Sequence, residues 1–140
     1  ELKSFTENGG VVCIIPAINA STDYNDLFQQ LELGSAPTID TANRRTNSIK
    51  YSDPFYADVF EKQDNRIDLP TVYNYITWKS TQLDYSTQLL GLENGDPLLI
   101  KKNLGKGSVF VWSSNTDKKN SSLADHSVFL LSLYKIGLGF

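Results

Sequence analysis

A second cysteine, a second histidine and any apolar run longer than five residues are missing from this 140-residue chain, and each absence removes a class of explanation. With Cys13 alone no internal disulfide can form. With His126 alone the cysteine and histidine sets that hold structural zinc cannot be assembled, and no residue pattern calls for a cofactor. The longest apolar run, residues 11–15, falls far short of the ~20 residues that cross a bilayer. No basic stretch followed by a hydrophobic core marks a signal peptide. Positive charge is scarce too: 13 basic against 16 acidic residues leave a formal net charge of -3. Bulk electrostatics therefore do not draw the chain to nucleic acid or anionic lipid.

What is present suits one folded α/β domain over residues 1–140, with 40% hydrophobic residues to fill a core. Leu2 and Phe5, followed by Asn8-Gly9-Gly10, predict the end of a helix closed by glycine. Residues 11–15, β-branched and without alternation, predict an interior strand buried on both faces, with Cys13 as a small apolar filler. After a loop of small residues, Thr22 or Asp23 is placed to cap a helix of about three turns. Its apolar face is Tyr24, Leu27, Phe28 and Leu31, with Gly34 past its end.

Residues 35–70 are rich in turn formers, with short β-like pieces near Ile39 and at 49–51 and one helical turn around 56–60. Residues 71–78 alternate with a period of two, placing Val72, Ile76 and Trp78 to one side. Asn94-Gly95 between two apolar runs signals a hairpin. A second turn at Gly105-Lys106-Gly107 leads to the β-rich 108–114, so three antiparallel strands follow one another. The chain closes with an amphipathic helix that turns Phe129, Leu130, Leu133 and Ile136 toward the sheet.

Reactive chemistry is thin. Cys13 lacks an adjacent base, and His126 has Asp125 beside it but no serine in a Gly-x-Ser-x-Gly elbow. Gly105-Lys106-Gly107 joins two strands and lacks the P-loop spacing. Arg44 and Arg45 have the chemistry to clamp a carboxylate or phosphate, or to sit solvated in a loop. Asn19-Ala20-Ser21 and Asn120-Ser121-Ser122 match the glycosylation motif. In open α/β sheets ligands sit beyond the C-terminal ends of parallel strands. That rule singles out the loops 17–23 and 113–117, and in them Asn19, Ser21, Asp23 and Asn115 as candidate ligand-binding residues. Helix capping by Ser21 and Asp23 and a turn at Asn115 are the plainer reading.

The succession "LKSFTENGGVVCIIP", "YNDLFQQL", "SDPFYADVF", "LPTVYNYI", "LLGLENGDPLLIKKNLGKGSVFVWSS" and "HSVFLLSLYKIGL" resembles the soluble region of BatA-like, aerotolerance-associated bacterial membrane proteins. The resemblance runs over nearly the whole chain and rests on packing motifs. It implies a three-layer α/β sandwich of the class I glutamine amidotransferase-like type, N-terminally truncated. In such a fold, parallel strands are followed by an antiparallel portion. It also implies anchoring transmembrane helices outside these residues and a position facing the periplasm in the bacterial cell envelope. The cysteine elbow and the histidine-glutamate loop of the amidotransferases have no counterpart here, so no catalytic residue is carried over.

The function expected from the sequence is accordingly that of a non-enzymatic, extracytoplasmic fragment of a larger membrane protein that recognises a protein or envelope component. The expected partners are another protein, other segments of the same protein, or a second copy paired through an open sheet edge. A hydrolase or amidotransferase-like enzyme, and a small-molecule sensor, are the alternatives. Both would use a crevice at the strand ends.

Overall fold

The computed structural model describes residues 1–18, 24–34, 38–57, 68–78 and 85–139. Helix α1 (Leu2–Glu7) stops where Gly9 takes φ +112, a left-handed conformation that favours glycine. Strand β1 (Val11–Ile14) follows at once, and then α2 (Asn25–Gln30). Helix α2 is under two turns long, shorter than its apolar spacing predicts, and its cap position is Tyr24. Thr22 and Asp23, the expected caps, lie outside the described residues.

Residues 38–49 form one twelve-residue strand, β2 (Thr38–Ile49), where the sequence suggests short pieces. Most of its side chains are exposed or half-buried, so it carries no apolar alternation to read. A short helix, α3 (Pro54–Ala57), buries Phe55 and Tyr56. Strand β3 (Thr71–Thr77) comes next, then β4 (Ser86–Leu92), β5 (Pro97–Leu104) and β6 (Gly107–Trp112). The last three are the antiparallel succession that the Asn-Gly and Gly-Lys-Gly turns announce. A 3-10 turn at Leu123–Asp125 leads into α4 (Ser127–Gly137).

The sheet has six strands in the order β1-β6-β5-β4-β2-β3. Among the described residues only β1 and β6 run parallel, with Val11 opposite Ser108 and Ile14 opposite Val111, and the other ladders are antiparallel. Successive residues of β6 point to opposite faces. Phe110 and Trp112 pack with Phe55 and Tyr56 of α3 and Val128, Phe129 and Ile136 of α4. Val109 and Val111 pack with Phe28 of α2 and with Leu31 and Leu33 just beyond it. Helices thus cover both faces of a mixed α/β sheet.

Two expectations change. The strand buried on both faces is β6, all six of whose residues are buried, while β1 sits at the sheet edge with Cys13 exposed. Absence of alternation says that neither face of a strand is strongly polar, and an edge position satisfies that as well as an interior one. On α4 the buried face is Val128, Phe129, Ser132, Lys135 and Ile136, whereas Leu130 is 64% exposed. Ser132 is tolerated inside because its hydroxyl donates to the Val128 carbonyl at 2.6 Å and meets the Tyr56 hydroxyl at 2.6 Å.

Candidate functional site

The loops beyond the C-terminal ends of the parallel strands are where an open α/β sheet places a ligand. Asn19, Ser21 and Asp23 lie outside the described residues, so Asn115 carries what geometry there is. Its amide nitrogen donates to the Pro16 carbonyl at 2.9 Å, tying the end of β6 to the end of β1. Its amide oxygen accepts from the Asp117 backbone N–H at 3.0 Å and from Asn120 Nδ2 at 3.0 Å. The Ser121 hydroxyl donates to its main-chain carbonyl. Around it, Asn74 Nδ2 donates to Asn120 Oδ1 at 3.2 Å and to the Lys119 carbonyl at 3.0 Å. Every polar group that would face a ligand from Asn115 is turned inward to close the loop. Asn115 is the latch of a turn, the plainer of its two sequence readings.

The same network disposes of the motif at Asn120, whose side chain is 3% exposed and hydrogen-bonded on both amide atoms, out of reach of a glycosylating enzyme. Arg44 and Arg45 are adjacent on β2, so their side chains leave opposite faces and do not converge on one anion. Gly105-Lys106-Gly107 forms the β5–β6 turn and docks on the α1–β1 corner, where Lys106 N–H donates to the Glu7 carbonyl at 3.0 Å. A Cβ on Gly107 would lie 2.1 Å from the carbonyl oxygens of Thr6 and Gly10. The glycine is there for close approach of backbone to backbone.

Two features remain that face outward. The first is the β1 edge, which pairs on one side with β6 and has no strand on its other side among the described residues. Cys13 is exposed here, with Phe5 of α1 at 56% and Ile15 at 43% exposure. Surrounding protein pushes the Cys13 thiol above its ordinary range. The Trp112 indole N–H, too loosely placed to count as a hydrogen bond, pulls weakly the other way.

The second is His126, at the start of α4. The sequence offers Asp125 as its partner, but the structure supplies others. His126 Nε2 lies 3.1 Å from Ser122 Oγ. Its Nδ1 lies 3.2 Å from the Asp68 carbonyl and 3.4 Å from Asp68 Oδ2. Ser122 is itself fixed: Thr71 N–H donates to its hydroxyl oxygen at 3.0 Å, and its own N–H donates to the Thr71 carbonyl at 2.9 Å. The i, i+4 spacing of Ser122 and His126 was the one signal in the sequence that pointed to this contact. Asp68, 58 positions earlier, gave none.

No family model matches the chain, and no curated protein matches it. Among solved structures, the Cytoplasmic Protein STM3548 from Salmonella typhimurium is similar over 98% of this chain and 57% of its own, with a TM-score of 0.62 at 14% identity. The Cytoplasmic Protein STM1381 from Salmonella typhimurium LT2 is similar over 83% of this chain and 48% of its own, with a TM-score of 0.56 at 14% identity. The likeness is one of fold, and the chain spans about half the length of these proteins.

Both neighbours are labelled cytoplasmic, which overturns the expectation of an extracytoplasmic, periplasm-facing envelope domain of BatA-like type. Among the described residues no helix is long and apolar enough to cross a membrane.

Proposed function

We propose that this domain recognises a partner protein by accepting an extended, uncharged polypeptide segment as an additional strand along β1. One observation carries the reading: β1 is an edge strand with no charged residue or proline within Val11–Ile14 to discourage pairing. The opposite edge is treated differently, because the 120–122 segment hydrogen-bonds along β3 through Tyr73 N–H to the Asn120 carbonyl and Ser122 N–H to the Thr71 carbonyl. Strand addition draws affinity from main-chain hydrogen bonds and selectivity from alternate side chains. The exposed Cys13, Ile15 and Phe5 would supply those contacts, which favours an apolar segment. The β1 edge carries binding in this reading and no chemistry. The finer amidotransferase-like likeness belongs with this proposal, supported by the parallel β1–β6 pair and the helix that follows β1.

Hydrogen exchange tests it, with a lysine-flanked peptide of alternating valine and threonine as the probe. The β1 amides not bonded to β6 are expected to exchange fast in the free chain and to slow with peptide, and Cys13→Asp to abolish the slowing. Unchanged exchange at millimolar peptide would sink the reading.

A further inference from the structure

We propose that Ser122, His126 and Asp68 form a nucleophile, its base and the base's positioning residue, a relay able to hydrolyse small neutral carboxylic esters. The proposal is independent of the β1 edge, because this cluster adjoins β3 at the other end of the sheet order.

Hydrogen-bond accounting fixes where the protons are. Thr71 N–H can only donate, so Ser122 Oγ accepts from it at 3.0 Å and keeps its own proton to give elsewhere. His126 Nδ1 faces two acceptors, the Asp68 carbonyl and Oδ2, so the ring proton belongs on Nδ1. Nε2 is then bare and 3.1 Å from the Ser122 hydroxyl, which donates to it in preference to the Thr71 carbonyl at 3.5 Å. This is the tautomer and atom order by which histidine serves as general base to a serine. The imidazole is held in place, its side chain 11% exposed, while Ser122 is half-buried and Asp68 exposed, so the cluster opens on the surface. The carboxylates of Asp68 and the neighbouring exposed Asp125 disfavour anionic substrates, which selects a neutral ester.

The chemistry balances with water as the only co-reactant. Ser122 Oγ bonds to the acyl carbon as its proton passes to His126 Nε2. The ester C–O bond breaks, and the alcohol leaves with that proton. Water, deprotonated by the same nitrogen, then releases the acid and restores the serine.

This runs against the expectation of a chain without catalysis, and a fluorophosphonate reporter together with p-nitrophenyl acetate decides the matter. Serine displaces fluoride from the reporter, forming a P–O bond. One label per chain is expected, mapped by peptide mass spectrometry to Ser122. Ester turnover by His126→Ala is expected to fall about 10²–10⁴-fold, to the level of Ser122→Ala. Asp68→Asn should cost less, lowering kcat with little change in KM, because the carboxylate faces the imidazole at 3.4 Å, and Asp68→Glu should restore part of the loss. A residue that merely held the segment would leave kcat in place once the variant is folded. Label on another residue, or an unlabelled Ser122, overturns the proposal. Because the label is mapped on the unsubstituted chain, a misfolded variant does not blunt the test.

Discussion

Asn115 Nδ2 donates to the carbonyl of Pro16 across 99 residues of chain, at 2.9 Å. With this bond the loop after β6 holds the loop after β1, so the two parallel strands are joined at their C-terminal ends by a side chain as well as along their ladder. Replacing Asn115 by Ala leaves the Asp117 and Asn120 donors without their acceptor as well. The expected loss is about 1–3 kcal/mol, read as a lower urea midpoint with an unchanged slope. Asn115→Asp keeps the acceptor but sets a carboxylate against the Pro16 carbonyl, and should also destabilise.

Gly107→Ala is expected to destabilise more than Gly95→Ala, although Gly95 takes φ +94 and Gly107 has no positive φ. The added methyl at 107 meets the Thr6 and Gly10 carbonyl oxygens at 2.1 Å, whereas at 95 it meets nothing within 4 Å. Backbone must move, at about 1–3 kcal/mol or more. Thermal melts of the two variants compare them directly, and equal shifts would contradict the docking of this turn on the α1–β1 corner.

High pH should weaken the fold through Tyr75. Burial first, and then the Asp96 carboxylate that accepts its proton at 2.9 Å, raise this phenol to about 12. The unfolded chain releases the same proton near 10. Between these values the unfolded state binds fewer protons than the folded one, so stability is intact below pH ~10 and falls as pH rises toward 12. Urea midpoints at pH 9 and pH 11 measure the fall, and Tyr75→Phe should reduce it. Tyr56, raised for the same reason of burial, accounts for part of what is left.

Native Cys13 should react to completion with a thiol reagent, one equivalent per chain, because it is exposed at the sheet edge. Its raised pKa makes the reaction slower than that of free cysteine at pH 7 and steeper with increasing pH. A cysteine that reacts only in denaturant would return β1 to the interior of a larger sheet.

The local elements were legible in proportion to how local their causes are. Asn94-Gly95 and Gly105-Lys106-Gly107 set the β4–β5–β6 meander through turn conformations confined to a few residues. Strand β2 was opaque because its stability comes from β3 and β4 on either side, with polar residues such as Thr41, Asn43 and Arg45 along it and a bulge in each ladder. The edge position of β1 is a fact about strand order, on which residues 11–15 are silent. The candidate sites divide in the same way. Ser122 and His126 were within reach of a spacing argument, whereas Asp68 and Thr71 arrive through tertiary structure alone. Asn115 stands out in the sequence as a polar residue at a strand end, but its bond to the Pro16 carbonyl is legible only in the tertiary structure.

The parallel pair also places a demand on time. Val11 finds its partner at Ser108, so at ~5–20 residues per second a ribosome needs roughly 5–20 s to make β6 after β1 has been made. Through that interval an apolar, uncharged strand has nowhere in its own sheet to go. A factor that shields nascent chains has reason to dwell on β1 through that interval, and its dwell should end only when the β5–β6 hairpin emerges.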